Sequence, residues 1–195
     1  MRIYKNCKEA VDEIKRNIYE MGIRVHPHSM QNKIVKGNEN YSTIELQGEC
    51  FCIEDTSDKN EIVGKDLEWC KQEFAERINP KKINPGTAWK LRENVWSEFM
   101  RKKKMDYTYN ERIRLQLKNV INELKNNPET RQAIIGIHMG NIDVDGIGGK
   151  KRIPCSLQYQ LMLRKDPFGK ERLNMIYVMR SSDFYTHFKN DIWLI

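Results

Sequence analysis

Apolar residues recur at helical spacing over residues 8–21, where Ala10, Val11, Ile14, Ile18 and Met21 share one side and Gly22 follows as a C-terminal stop. Over residues 41–53 the period shortens to two. Ile44 and Leu46, then Phe51 and Ile53, alternate with polar positions around Gly48, which predicts a strand bent at the glycine. Cys50 and Cys52 fall on one face of that strand, a spacing that fits strand packing better than metal ligation. Leu67, Trp69, Cys70 and Phe74 predict a second helix over 66–78, ended by Asn79-Pro80 and Asn84-Pro85-Gly86. The clearest helical pattern runs over 111–125 through Ile113, Leu117, Val120, Ile121 and Leu124. Strand patterns follow at 132–139, 157–163 and 173–178, joined by glycine-rich or Asp166-Pro167-Phe168-Gly169 turns. Helices first and strands later, without regular βαβ alternation, predict an α+β domain with a mixed sheet and flanking helices.

The 195 residues, 39% of them hydrophobic, suffice for one domain spanning 1–195. The formal charge of +7 is spread along the chain. Its densest run, Arg101 to Lys104, reads as a solvated surface, so a nucleic-acid partner is not expected. Five irregularly spaced cysteines without a CxxC pair predict no zinc site and fit a reducing cytoplasm. Asp143 and Asp145 lack the glutamate a calcium loop needs, and the four dispersed histidines read as ordinary surface or structural residues. No stretch reaches the roughly 20 apolar residues of a membrane span. The apolar run Ile192-Trp193-Leu194-Ile195 carries no polar tail, so the polypeptide is expected to continue, with a C-terminal part of the fold missing here.

Pro154-Cys155 follows Gly146, Gly148, Gly149, Lys150, Lys151 and Arg152 and opens a strand. A thiolate is the attacking form of cysteine, and adjacent positive charge favours it. These residues alone leave two readings open, an activated nucleophile and an inert packed cysteine. Downstream, Arg180 and Ser181 could clamp a phosphate, the guanidinium with its fork of donors and the serine with one more.

In order along the chain, Glu68-Trp69, Tyr109-Asn110, Pro128-Glu129-Thr130-Arg131, Pro154-Cys155, Arg180-Ser181-Ser182-Asp183 and Asn190-Asp191 resemble the motifs of the thymidylate synthase superfamily. The resemblance covers roughly residues 60–195. It implies that Cys155 adds to C6 of a pyrimidine nucleoside monophosphate, so that C5 attacks the methylene carbon of 5,10-methylenetetrahydrofolate. It further implies Glu68 as acid/base, Tyr109 as pocket wall, and Arg180 with Ser181 as phosphate clamp beside the structural Asp183. Arg131 would reach the phosphate from the second subunit of a homodimer.

Within that family the resemblance is closest to the phage-type deoxycytidylate hydroxymethylases. Asp191 follows Asn190 as in that branch, and Met179, Gln160 and Arg164 agree with it. A carboxyl accepts from cytosine N4 and can share a proton with N3, whereas an ionised one repels uracil O4. A one-residue slip that puts Asn190 on the base would imply thymidylate synthase or a deoxyuridylate hydroxymethylase instead. An inactive paralogue with a binding role is the third alternative. The sequence departs from the family at Gln132, where a second phosphate arginine is usual, and at Ser156, and it stops before a His-x-Tyr pair. Arg24 and Lys33 are both candidates for an N-terminal phosphate cation.

Overall fold

The computed structural model describes residues 1–31 and 33–195. Strand β1 (Arg2–Asn6) leads into α1 (Cys7–Met21). Asn6 caps α1 by accepting from the Glu9 N–H at 2.9 Å, and Asp58 takes the Cys7 and Lys8 N–H groups. Gly22 ends the helix in an extended conformation, so its value is space: a Cβ there would lie 2.3 Å from both the Ile18 carbonyl oxygen and an Ile44 methyl.

Short strands β2 (Ile23–Val25), β3 (Ser29–Met30), β4 (Lys33–Ile34), β5 (Thr43–Glu45) and β6 (Phe51–Asp55) follow. β1 pairs with β6 in parallel, β2 with β5 and β3 with β4 antiparallel. The single bent strand expected over 41–53 is therefore two strands in different sheets, separated at Gly48 with φ +67°. Cys50 and Cys52 are exposed, which overturns their reading as packed residues.

Helices α2 (Lys59–Val63) and α3 (Leu67–Ile78) precede a loop and the single turn α4 (Glu93–Trp96). The long helix expected over 111–125 is broken into α5 (Tyr109–Ile113) and α6 (Leu117–Asn126). The break has a cause in Gln116, whose carboxamide donates to the Arg112 and Gly136 carbonyls and accepts from the Gly136 N–H. After β7 (Ile134–Gly136) and the turn α7 (Gly140–Asp143), strands β8 (Ser156–Lys165) and β9 (Glu171–Met179) form a long hairpin, and α8 (Lys189–Trp193) closes the chain. β7, β8 and β9 make an antiparallel three-stranded sheet, so the α+β class holds while the strands fall into four small sheets rather than one mixed sheet.

α5 and α6 pack Ile113 and Val120 against Ile135, Ile137 and Tyr159 of this sheet. A second core joins Trp69, Cys70 and Ala88 to Leu194, and α1 packs Cys7 and Val11 against Ile192 of α8. The apolar C-terminal run is thus largely core, with Ile192 and Leu194 buried. None of the helices among the described residues is long and apolar enough to cross a membrane.

Candidate active site

The β8–β9 hairpin sets the site by register. Ser156 pairs with Met179, so the residue before β8 meets the residue after β9, and the Arg180 N–H donates to the Cys155 carbonyl at 2.9 Å. Half-buried, the Cys155 sulfur lies 3.7 Å from Arg180 Nη2, 3.8 Å from Ser181 Oγ and 3.5 Å from Gln31 Nε2. Arg180 is aimed by its other bonds: Nε donates to the Pro154 carbonyl, Nη2 to the Ile153 carbonyl, and Nη1 to Ser181 Oγ. The guanidinium and Ser181 remain exposed, an open pair of donors beside a sulfur.

Behind the thiol, Ser156 is fully buried and its Oγ donates to the Tyr109 hydroxyl at 3.1 Å. A serine has one proton to give, so Tyr177 is the donor in the short bond on the other side of Oγ. Burial raises both tyrosines well above the usual phenol range and keeps them neutral. Beneath them the buried Arg77 stacks its guanidinium 4.1 Å over the Tyr109 ring and pairs with Glu73 at 2.9 Å.

Asp191 of α8 closes this group. Its carboxylate accepts from Ser182 Oγ at 2.8 Å, and its charge acts on Tyr177. Burial pushes its pKa up to about 6, against the Ser182 hydrogen bond and the charges of Arg77 and Arg92, which lower it. Asn190 turns the other way: it is buried, and its Nδ2 donates to Asp66 Oδ2 at 3.1 Å. Asp183 accepts from the Tyr185 and Thr186 N–H groups and shapes the turn before α8.

Two expected members lie elsewhere. Glu68 is exposed on the first turn of α3 and pairs with Lys71 at 2.8 Å. Asp66, at the N-cap just before α3, turns inward instead, to Asn190 and to Arg92 Nε at 3.5 Å. Arg131 is exposed beside Gln160, which donates to its carbonyl. That is on the order of 15 Å along β8 from Cys155. Of the N-terminal cations, Arg24 donates to Ser42 and Lys33 pairs with Glu98.

A small cavity of about 40 Å³ borders the group; Trp69, Trp89, Trp96, Tyr109, Arg77 and Arg152 are among its walls. Arg152 is buried with its guanidinium 4.4 Å from the Phe99 ring and 5.1 Å from that of Tyr107. His187, tilted against Trp96 at 5.5 Å, has its pKa lowered to about 4 by burial and by Arg92.

Sequence reasoning gave no site role to Arg77, Asp66 or Gln31, met Ser156 and Ser182 only in the motif comparison, and cast Arg152 only as positive charge before Cys155. Of the three without a role, Arg77 carried a signal, its four-residue spacing from Glu73. Asp143, considered for calcium, is instead buried against Arg112 at 2.7 Å. Among the described residues, no cluster of three metal-ligating side chains is found.

The sequence model of the thymidylate synthase family matches residues 57–193. The chain belongs to the thymidylate synthase family. No curated protein matches it. Thymidylate synthase family chemistry is folate-dependent transfer of a one-carbon unit to C5 of a pyrimidine nucleotide, with methylenetetrahydrofolate as donor. Every site residue above except Gln31 falls inside the stretch matched to thymidylate synthase; Gln31 reaches the thiol from the segment that precedes it.

Proposed function

We propose that this chain is a pyrimidine-nucleotide 5-hydroxymethyltransferase whose preferred substrate is dCMP. The observation that carries the specificity is the placement of Asp191 against Asn190. The carboxyl of Asp191 faces Ser182 and the Tyr177–Ser156–Tyr109 chain behind Cys155, while the amide of Asn190 is spent on Asp66. A carboxyl with a pKa near 6 can accept from the cytosine amino group and share a proton with N3.

The cavity of about 40 Å³ beside Trp69, Trp96 and Arg152 is too small for the folate, so no wall residue is assigned to it; when bound, methylenetetrahydrofolate would supply the one-carbon unit. Arg180 and Ser181 bind the nucleotide phosphate and orient the base over Cys155. The Cys155 sulfur adds to C6, which makes C5 nucleophilic, and its later departure restores the aromatic ring. Tyr109, held neutral by burial, donates at the pocket wall. Asp66 takes the acid/base role expected of Glu68, because it is the carboxylate at the start of α3 that turns toward the Asn190–Asp191 segment.

A homodimer completes this reading. Ile134, Gln160 and Ile176 stand side by side on the outer face of the β7–β8–β9 sheet, with Ile134 41% and Ile176 48% exposed. A second copy covering that face would bury apolar surface and bring in an Arg131 that its own chain holds far from Cys155.

Tritium release from C5-labelled dCMP and dUMP, in the presence of methylenetetrahydrofolate, tests the proposal. Faster release from dCMP that vanishes in Cys155→Ala is expected. Release from dUMP alone would give thymidylate synthase or a deoxyuridylate hydroxymethylase; release that survives Cys155→Ala would remove the nucleophile.

A further inference from the structure

The tip of the β3–β4 hairpin lies on the nucleophile. Gln31 follows β3 directly and donates through Nε2 to the Cys155 sulfur, 124 residues later in the chain, at 3.5 Å. Two costs are concentrated in this one residue. Its backbone has φ +50°, a left-handed conformation that a side chain larger than Asn rarely adopts. Its Oε1 is buried without a hydrogen-bond partner among the described residues. A glutamine that needed only to fill a turn would escape the second cost by pointing its amide to solvent.

The hairpin is also pinned where it stands. Gly149, in the glycine-rich turn before Cys155, approaches so closely that a Cβ there would lie 2.9 Å from the Lys33 carbonyl oxygen. On the other side Lys33 Nζ pairs with Glu98 at 2.5 Å. Neither contact involves the thiol, yet together they hold Gln31 over it.

We infer that Gln31 is a positioning residue of the Cys155 nucleophile, its carboxamide N–H fixing the sulfur beside Arg180 and Ser181. The inference rests on the reading of Cys155 as the nucleophile and assigns part of its control to a segment that precedes the family match. The direction of the amide is what matters: an N–H turned to sulfur favours a thiolate, whereas an acceptor in the same place favours the thiol. The cationic fork of Arg180 and the Gln31 amide then bracket the sulfur from two parts of the chain.

Alkylation of Cys155 by iodoacetamide measures this without nucleotide or folate. Followed by mass spectrometry on the tryptic peptide 153–164, it reads Cys155 apart from the exposed Cys50 and Cys52. The pH of half-maximal alkylation is expected to rise in Gln31→Ala and further in Gln31→Glu, whose carboxylate repels a thiolate. A purely steric cover would change the limiting rate at high pH and leave the midpoint in place, and that result overturns the inference. Gln31→Glu keeps length and shape, so it serves if the alanine variant does not fold; an unmoved midpoint there has the same meaning. Failure here leaves the tritium-release test of the transferase standing, and failure of that test leaves this midpoint measurable.

Discussion

Asn190 donates its amide proton to Asp66 at 3.1 Å, so the start of α3 and the last helix of the chain are joined at the candidate site. The bond occupies the side chain that could otherwise have read uracil, and it turns Asp66, the N-cap of α3, toward the site. Asp66→Asn is expected to cut turnover by about 100-fold or more, the lower range for loss of a general acid/base. Glu68→Gln removes only an exposed pair with Lys71, and turnover should stay within a factor of about two of wild type. Steady-state kcat of the two variants decides; equal losses would return Glu68 to the mechanism.

Asp191→Asn exchanges a carboxyl for an amide that can donate to uracil O4. The ratio of kcat/KM for dCMP over dUMP should fall by at least tenfold, about 1.4 kcal/mol. The same variant has a stability signature. The folded pKa of about 6 is raised above the ordinary 3.8, so the native state binds the extra proton. Its stabilising effect is full below about pH 4 and is lost as pH rises through about 6. Because the carboxyl is partly open to solvent, the effect is of order 1–2 kcal/mol. Urea titrations at pH 4 and pH 7 should show wild type losing this much more than Asp191→Asn.

His187 gives the opposite slope. Its pKa is lowered to about 4 from 6.5, so the unfolded state binds the proton first. Its contribution is present above about pH 6.5 and lost as pH falls toward 4. His187→Gln should flatten the decline of melting temperature between pH 6.5 and 4.5; an unchanged slope would mean the ring is protonated against Trp96.

Ser156→Ala removes the hydroxyl between Tyr109 and Tyr177 and leaves two buried phenols short of a partner. The expected cost is about 1–3 kcal/mol in chemical denaturation, larger than for a surface serine. Since the Tyr109 hydroxyl also lines the pocket, kcat should fall with it. Tyr177→Phe with Ser156→Ala should cost less than the sum of the single changes, because the pair shares one bond.

The sequence alone determined what travels along the chain in order. Period and punctuation marked α1, α3 and the β8–β9 hairpin, because side chains three, four or two apart meet without help from the rest of the molecule. Motif order marked Cys155, Arg180, Ser181 and Asp191, since reaction chemistry restricts residue type as well as position. Tertiary structure decided the rest. The helix over 111–125 broke because Gln116 found partners on β7, and the strand over 41–53 divided because its halves pair with β1 and β2. Asp66 and Glu68 carry similar chemistry two residues apart, and only the packing of α3 against Asn190 turns one inward and leaves the other in water. Gln31 meets Cys155 across 124 residues, a distance over which no local pattern speaks.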